Sequence, residues 1–161
     1  STAEADVAAE CVLRAIEEVR KLEGLQCVPV LVLGCRGFVG SRVTARLHGH
    51  RVYAIDRTDD AIAEFPMEVA GERAIVVNLT WADVLETYLD QLHDGMVILN
   101  EVYPPPLPLT VRAIKERNVR VYHLAGVEGS AFPAFPDAYA GGVPCCAARM
   151  SPDLRVRVVR L

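Results

Sequence analysis

Three glycines spaced three residues apart stand where an apolar run gives way to a helical pattern. Gly34, Gly37 and Gly40 follow the run VPVLVLG, and apolar residues recur at helical spacing over residues 38–47. In a strand–loop–helix unit, one glycine allows a tight turn, another lets backbone N–H groups approach a diphosphate, and a third lets the helix pack closely on the sheet. The helix N-terminus adds partial positive charge. The segment therefore predicts a loop that binds the diphosphate of a dinucleotide, although these glycines would also suit a tightly packed turn without a ligand.

The end of the next apolar segment, HRVYAID, refines that prediction. Asp56 lies about twenty residues beyond the loop, where an acid can accept hydrogen bonds from the hydroxyls of the adenosine ribose. Such a carboxylate favours NAD, because it would repel the additional 2′-phosphate of NADP. Arg57 follows directly and Arg36 lies within the loop, and either guanidinium could instead hold that phosphate. NAD is expected, NADP stays open, and Asp56 could also serve only as a turn cap.

The rest of the chain alternates between strand and helix patterns. Continuous apolar runs such as AIVVNL and MVILNE are typical of strands that are buried on both faces in a parallel sheet. The pattern predicts strands at 28–34, 50–56, 74–79, 96–101 and 119–124, and helices at 1–23, 38–47, 59–64, 82–92 and 110–117. This order predicts an α/β fold with a doubly wound, mostly parallel, Rossmann-like sheet and an N-terminal helix.

We expect a single dinucleotide-binding domain over residues 1–161, with a leading helix over 1–24 and a C-terminal extension over 126–161. Gly24 is expected to end the leading helix. In the extension we predict a helix at 144–150 and, in LRVRVVRL, an edge strand whose arginines face water. Because the chain does not begin with Met, it could be a fragment of a larger enzyme.

Composition and charge exclude several classes of partner. The formal net charge is −4 and the charged residues are interspersed, so neither nucleic acid nor an anionic membrane is an expected partner. The longest apolar run, Cys27–Cys35, is too short to cross a bilayer, and no signal-peptide pattern opens the chain. The five cysteines lack metal-like spacing. We therefore expect a cytoplasmic protein with reduced thiols and no metal site.

Four short motifs resemble, in order, the C-terminal cofactor-binding half of the shikimate dehydrogenases, over roughly residues 25–130. Asp56-Arg57-Thr58 resembles the family's Asn-Arg-Thr run after the second strand, and Val77-Asn78-Leu79-Thr80 resembles its Asn-Ala-Thr segment beside the nicotinamide. Glu101-Val102-Tyr103-Pro104-Pro105 resembles its Asp-x-x-Tyr-x-Pro strand end, and Gly126 stands where the family has a glycine at the nicotinamide edge. Val39-Gly40 is also similar to the glycine loop of the methylenetetrahydrofolate dehydrogenases.

The resemblance implies a Rossmann domain that binds NAD or NADP. Together, the glycine loop and the resembling motifs supply the predicted cofactor-binding residues, which are Gly34, Cys35, Arg36, Gly37, Phe38, Val39, Gly40, Asp56, Arg57, Thr58, Asn78, Leu79, Thr80, Val102 and Gly126.

The chain also departs from the shikimate dehydrogenase pattern. Its loop reads Gly-x-x-Gly-x-x-Gly instead of Gly-x-Gly-Gly, and Asp56 replaces an Asn, which shifts the expectation from NADP toward NAD. The family's catalytic Lys and Asp belong to a separate N-terminal domain. The lysines here, Lys21 and Lys115, lie in no matching motif, and Asp6 is expected to be an exposed carboxylate in a first helical turn. Groups that act on a substrate should therefore come from a separate catalytic domain, a homodimer partner or the loop after Gly126.

Tyr103 and His123 are the predicted catalytic residues. Both stand at the ends of predicted strands, where open α/β sheets bind ligands. Tyr103 could hydrogen-bond a substrate oxygen, and a packed tyrosine at the proline-rich turn is an equally simple reading. His123 could act as acid or base, but a satisfied core or rim histidine is the more common case. No tyrosine is followed four residues later by a lysine, which excludes the short-chain dehydrogenase pattern. Weaker candidates are Glu128, Ser130, Cys145 and Cys146.

The expected function is an oxidoreductase that moves hydride between NAD(P) and a small carbonyl, alcohol or imine substrate, with this domain orienting the nicotinamide. The alternative is a non-catalytic dinucleotide-binding sensor or regulatory domain. The stretch GHRVYAIDRTDD is similar to the regulatory nucleotide-binding domains of potassium channels. Those domains carry Gly-Asp-x-Thr where this chain has Val-Asn-Leu-Thr, which counts against that class.

Overall fold

The structure is a computed structural model, and it describes residues 2–47, 50–56, 63–81, 83–128, 131–132, 149–150 and 154–161. Within these ranges the helices are α1 (Thr2–Leu22), α2 (Phe38–Arg46), α3 (Met67–Ala70), α4 (Val84–Thr87) and α5 (Pro108–Glu116). The strands are β1 (Val30–Leu33), β2 (Val52–Ile55), β3 (Ala74–Asn78), β4 (Met96–Asn100), β5 (Arg120–Glu128), β6 (Ala131–Phe132), β7 (Arg149–Met150) and β8 (Arg155–Arg160).

Six of these strands form one sheet in the order β2-β1-β3-β4-β5-β8. Strands β1 to β5 are parallel, and β8 runs antiparallel to β5 at the edge. Strands β6 and β7 pair with each other in a separate two-stranded sheet. The prediction of an α/β fold with a mostly parallel sheet and an N-terminal helix is confirmed. The direction in which strands are added reverses next to β1, because β2 lies on one side of it and β3 on the other.

Buried side chains form two hydrophobic clusters that share the central strands. Val30 and Val32 belong to the first cluster and Leu31 and Leu33 to the second, because successive strand residues point to opposite faces. The first cluster includes residues of α1 and α2, whereas the second includes residues of α3, α4 and α5. All residues of β1, β3 and β4 are buried, which explains their unbroken apolar sequences.

The predicted end of α1 at Gly24 is confirmed. Gly24 has a φ of +62°, a left-handed conformation that glycine adopts without strain. Its N–H donates to the carbonyl of Lys21 at 3.2 Å, and the next N–H, of Leu25, donates to the carbonyl of Arg20 at 2.9 Å. These two bonds form a Schellman motif, which satisfies carbonyls that the helix leaves open.

Several predicted boundaries were wrong. The helix predicted at 82–92 is interrupted, since α4 ends at Thr87 and a separate 3-10 helix spans Leu89–Gln91. The helix predicted at 110–117 begins earlier, at Pro108, because proline suits the first helical position. The strand predicted at 119–124 continues to Glu128, so the residues after Leu124 belong to the sheet and do not begin a loop.

Two predicted helices fall largely outside the described residues. Of the segment 59–64, Ala63 and Glu64 are described and are not helical, and the next helical turn is α3. Of the segment 144–150, the described pair Arg149 and Met150 forms β7 and not a helix. The predicted edge strand is confirmed, because β8 exposes its arginines while its valines are half-buried.

Candidate functional site

The loop between β1 and α2 is held in shape by contacts that only glycine permits. Gly34 has a φ of +94°, and a Cβ there would lie 2.8 Å from the side chain of Thr80. A Cβ on Gly40 would lie 1.9 Å from the carbonyl oxygen of Gly34, so α2 presses directly against the end of β1. A Cβ on Gly37 would meet only that same oxygen, at an ordinary 3.5 Å. The fold therefore requires Gly34 and Gly40, whereas it does not itself require Gly37.

The backbone N–H groups of this loop divide into two sets. Those of Gly34 and Cys35 donate to the carbonyl of Ile55, at 2.9 and 3.5 Å, and that of Gly37 donates to the carbonyl of Gly34 at 3.2 Å. The N–H groups at the start of α2 have no acceptor within the helix, and no hydrogen bond among the described residues has the amide of Phe38 or Val39 as its donor. The amides that remain able to bind a diphosphate are therefore those in the first turn of α2, and not those of the whole loop as expected.

Asp56, the residue after β2, is hydrogen-bonded to the glycine loop. Its Oδ2 atom accepts the N–H of Arg36 at 2.7 Å. The carboxylate is therefore fixed beside the loop, on the β2 side of the point where strand addition reverses. Burial, and then the charge of Asp56, raise the pKa of the Cys35 thiol above its usual value. This thiol is protonated at neutral pH and is a poor nucleophile.

A row of buried polar side chains continues the site across the next three strands. Asn78 ends β3 and Asn100 ends β4. In the strand register, Asn100 is paired with Asn78 on one side and with His123 of β5 on the other. The Nδ2 group of Asn78 donates to Oδ1 of Asn100 at 2.9 Å, and Nδ2 of Asn100 lies 3.1 Å from Nδ1 of His123. We call these three residues the polar row.

The polar row also holds the chain segments that follow β3 and β4. Oδ1 of Asn78 accepts the backbone N–H of Thr80 at 3.1 Å and its hydroxyl at 2.8 Å. The Nδ2 group of Asn78 also donates to the carbonyl of Trp81 at 3.0 Å. The Nδ2 group of Asn100 donates to the carbonyl of Val102 at 2.8 Å. Because Thr80 also lies against Gly34, the glycine loop and the buried polar row are contiguous at the carboxyl ends of the parallel strands.

His123 is a member of this row and is 6% exposed. Burial lowers the pKa of His123 below its usual value, and a hydrogen bond with the carbonyl of Asn100, at 3.1 Å, opposes this shift only in part. The imidazole is therefore neutral at physiological pH. Its assignment as an acid or base stays a prediction, and its observed contacts are those of a residue that fixes neighbouring amides.

Tyr103 differs from His123 in being almost fully solvated. It follows the end of β4 by three residues, and 85% of it is exposed. A tyrosine in this position is accessible to a molecule that approaches the carboxyl ends of the strands. The alternative reading of Tyr103 as a packed residue at the proline-rich turn is therefore not supported.

Gly126 lies within β5, at an irregularity in its pairing with β8. It has a φ of +152°, and the pairing register shifts between Leu124 and Gly126. Strand β4 ends at Asn100, opposite His123, whereas β5 continues for the five residues 124–128, which at about 3.3 Å per residue is roughly 16 Å. The exposed Glu128 ends this extension. Gly126 thus lies beyond the end of β4, at the same carboxyl end of the parallel strands as the polar row.

The structure locates some of the other predicted residues and leaves others undescribed. Asp6 is exposed, as expected. Its Oδ1 atom lies 2.6 Å from Nε of Arg42 in α2, so the two side chains form an ion pair. The side chains of Lys21 and Lys115 are exposed on α1 and α5. The predictions for Arg57, Thr58, Ser130, Cys145 and Cys146 lie outside the described residues.

Sequence reasoning missed Asn100 and the polar row as a unit. The signal was present, because AIVVN and MVILN each end an apolar strand with an asparagine, and HRVYAID and VYH likewise end in polar residues. Which of these residues stand side by side depends on strand register, and register follows from tertiary pairing.

No model of a known protein family matches the chain, and no curated protein is significantly similar to it. Among the described residues, no helix is long and apolar enough to span a lipid bilayer. The described residues also bring together no group of three or more His, Cys, Asp or Glu that could hold a metal ion.

Proposed function

We propose that this chain binds a nicotinamide dinucleotide at the carboxyl ends of its parallel strands and serves as the cofactor domain of an oxidoreductase. The observation that carries the proposal is the hydrogen bond between the Arg36 amide and Asp56. It places the acid of β2 against the glycine loop and beside the first turn of α2. A carboxylate for the ribose and unengaged amides for the diphosphate are the two features that such a cofactor requires.

The proposal extends to the finer architecture, a doubly wound Rossmann-like sheet. Two features support it. Strand β2 lies on one side of β1 and β3 lies on the other. Helix α2, which follows β1, belongs to the first hydrophobic cluster, whereas α3, which follows β2, belongs to the second. In open α/β sheets, ligands bind where the strand order reverses. That position lies between β1 and β3, where Gly34 meets Thr80.

Each part of the cofactor has candidate partners in this chain. The amides of Phe38 and Val39 would hold the diphosphate, and Asp56 would hold the adenosine ribose. Thr80 and Val102 lie on the other side of the reversal and would flank the nicotinamide. A bound nicotinamide supplies the hydride acceptor or donor, and the chain orients it toward a small carbonyl, alcohol or imine. Groups that act on this substrate would come from a separate domain or a second copy.

The second candidate function is a dinucleotide sensor without catalytic activity. It is favoured by the environments of the two predicted catalytic residues. His123 is buried and bonded to the carbonyl of Asn100, and Tyr103 is exposed. A sensor would bind the cofactor at the same site but would not oxidise or reduce any small carbonyl or alcohol in the presence of a cofactor-regenerating system.

Titration of the full chain with NADH and with NADPH, followed by cofactor fluorescence, tests the proposal. We expect NADH to bind more tightly, and Asp56→Ala to weaken NADH binding by about tenfold or more, because a hydrogen bond to a charged group contributes about 1.5–3 kcal/mol. Asp90→Ala, which removes an exposed carboxylate from the 3-10 helix, is the matched control. Unchanged affinity in Asp56→Ala would refute the role of Asp56, and no binding of either cofactor by the unmodified chain would refute the function.

A further inference from the structure

The two halves of a dinucleotide would lie on different sides of the strand reversal. Asp56, which accepts the Arg36 amide beside the glycine loop, would hold the adenosine side at the end of β2. The other half must then extend over β3, β4 and β5, because these strands occupy the opposite side of β1. The polar row lies where β3 and β4 end and at the neighbouring position of β5. It therefore lies beneath the region that the nicotinamide would occupy.

Buried amides in this row couple two segments that are far apart in the sequence. Asn78 holds Thr80 and Trp81, Asn100 holds Val102, and the two asparagines are bonded to each other. Both asparagines are fully buried. In such surroundings a polar group without a partner is costly, so each bond restricts the segment that it reaches.

We propose that Asn100 is a positioning residue for the nicotinamide half of the bound cofactor. It links the segment after β3 to the segment after β4 and acts through Thr80 and Val102, without touching the ligand. Both of its side-chain polar atoms are engaged, since Oδ1 accepts from Asn78 and Nδ2 donates to the carbonyl of Val102. This inference rests on the proposed function, and its test separates the two.

The test compares NADH with ADP-ribose, which has the diphosphate and both riboses but lacks the nicotinamide. Binding of each is measured by calorimetry for the unmodified chain and for Asn100→Asp, which keeps the size and one acceptor of the side chain but loses its N–H donors. We expect Asn100→Asp to weaken NADH binding about tenfold while ADP-ribose affinity changes by no more than about twofold, the scale of one or two lost hydrogen bonds.

Asn118→Asp is the matched control. Asn118 is exposed, donates its Nδ2 to Asp94 at 2.8 Å, and precedes β5 at the opposite end of the strands. It undergoes the same chemical change, and both affinities should stay as in the unmodified chain. Asn78→Asp provides a second variant in case Asn100→Asp does not fold. It retains the acceptor for Thr80 and removes the donors to Asn100 and Trp81. It should lower NADH affinity with the same selectivity.

The outcomes separate the inference from the proposed function. If the unmodified chain binds no ADP-ribose, the proposed function fails. If ADP-ribose binds but the variants change both affinities equally, or change neither, the positioning role of Asn100 is refuted. Trp81 is the single tryptophan of the sequence and follows Thr80. Energy transfer from Trp81 to bound NADH in the unmodified chain is therefore an independent readout, and its absence would also overturn the inference.

Discussion

Replacing Phe38 by proline removes one backbone N–H donor from the first turn of α2 and tests whether that turn holds the diphosphate. Phe38 is the first residue of α2, a position where proline is well tolerated because its N–H has no acceptor in the helix. The preceding Gly37 has φ −67° and ψ 167°, the extended conformation that a residue before proline prefers. The Phe38 side chain is 81% exposed, so little buried area is lost.

The expected magnitudes differ sharply between folding and binding. The free energy of unfolding should change by no more than about 0.5 kcal/mol, as is usual for surface substitutions that break no contact. Loss of a hydrogen bond to a charged phosphate should weaken NADH binding by about 1.5–3 kcal/mol. That range corresponds to a rise in Kd of roughly 10- to 150-fold. Fluorescence titration with NADH and chemical unfolding of the same preparation measure both quantities.

Phe38→Ala is the control for the lost side chain, because it retains the backbone N–H. We expect Phe38→Ala to bind NADH nearly as the unmodified chain does, while Phe38→Pro binds it much more weakly. Equal NADH affinities for the proline and alanine variants, with both folded, would show that this amide does not contact the ligand. The assignment of the diphosphate to the start of α2 would then be abandoned.

Two further predictions concern the glycine loop and the buried histidine. Gly37→Ala should fold and weaken NADH binding. Gly40→Ala should instead lower the unfolding free energy by several kcal/mol, since its Cβ would lie 1.9 Å from the Gly34 carbonyl oxygen. Thermal melts and NADH titrations compare the two variants, and a stable Gly40→Ala would contradict the packing argument. The unfolding free energy should decline as pH falls below 6.5, because the lowered pKa of His123 lets the unfolded chain take up a proton before the folded one does. Urea unfolding across this pH range should show a smaller decline in His123→Asn than in the unmodified chain, and equal declines would count against the role of His123.

Much of the fold could be predicted because the central strands are buried on both faces. Such strands must be apolar throughout, and the sequence shows this directly for β1, β3 and β4. The interruption after α4 could not be predicted in this way. There Gln91 turns its side chain to another segment, accepting the N–H of Phe65 at 2.6 Å and donating to the carbonyl of Ala63 at 3.1 Å. A non-local contact of this kind leaves no periodic signal in the sequence.

The candidate site was predicted in its parts but not in its connections. Glycine spacing and the acid after β2 indicated the loop and Asp56, because both patterns are local. The bond between Asp56 and the Arg36 amide, and the bonds from the Gly34 and Cys35 amides to Ile55, depend on how β1 and β2 pair. The length of β5 was missed for the same reason, since its last residues are paired with β8, about thirty residues later in the chain.

The close contact between Gly40 and Gly34 has a consequence for how a ligand would be accommodated. The turn is clamped between β1 and α2, and its amides up to Gly37 are already bonded to protein acceptors. It would therefore lose little conformational entropy on binding, because its shape exists before the ligand arrives. The ligand would bind to a loop that is already in its bound shape. Substitutions that make this turn more flexible should therefore lower the affinity even where the substituted residue does not contact the ligand.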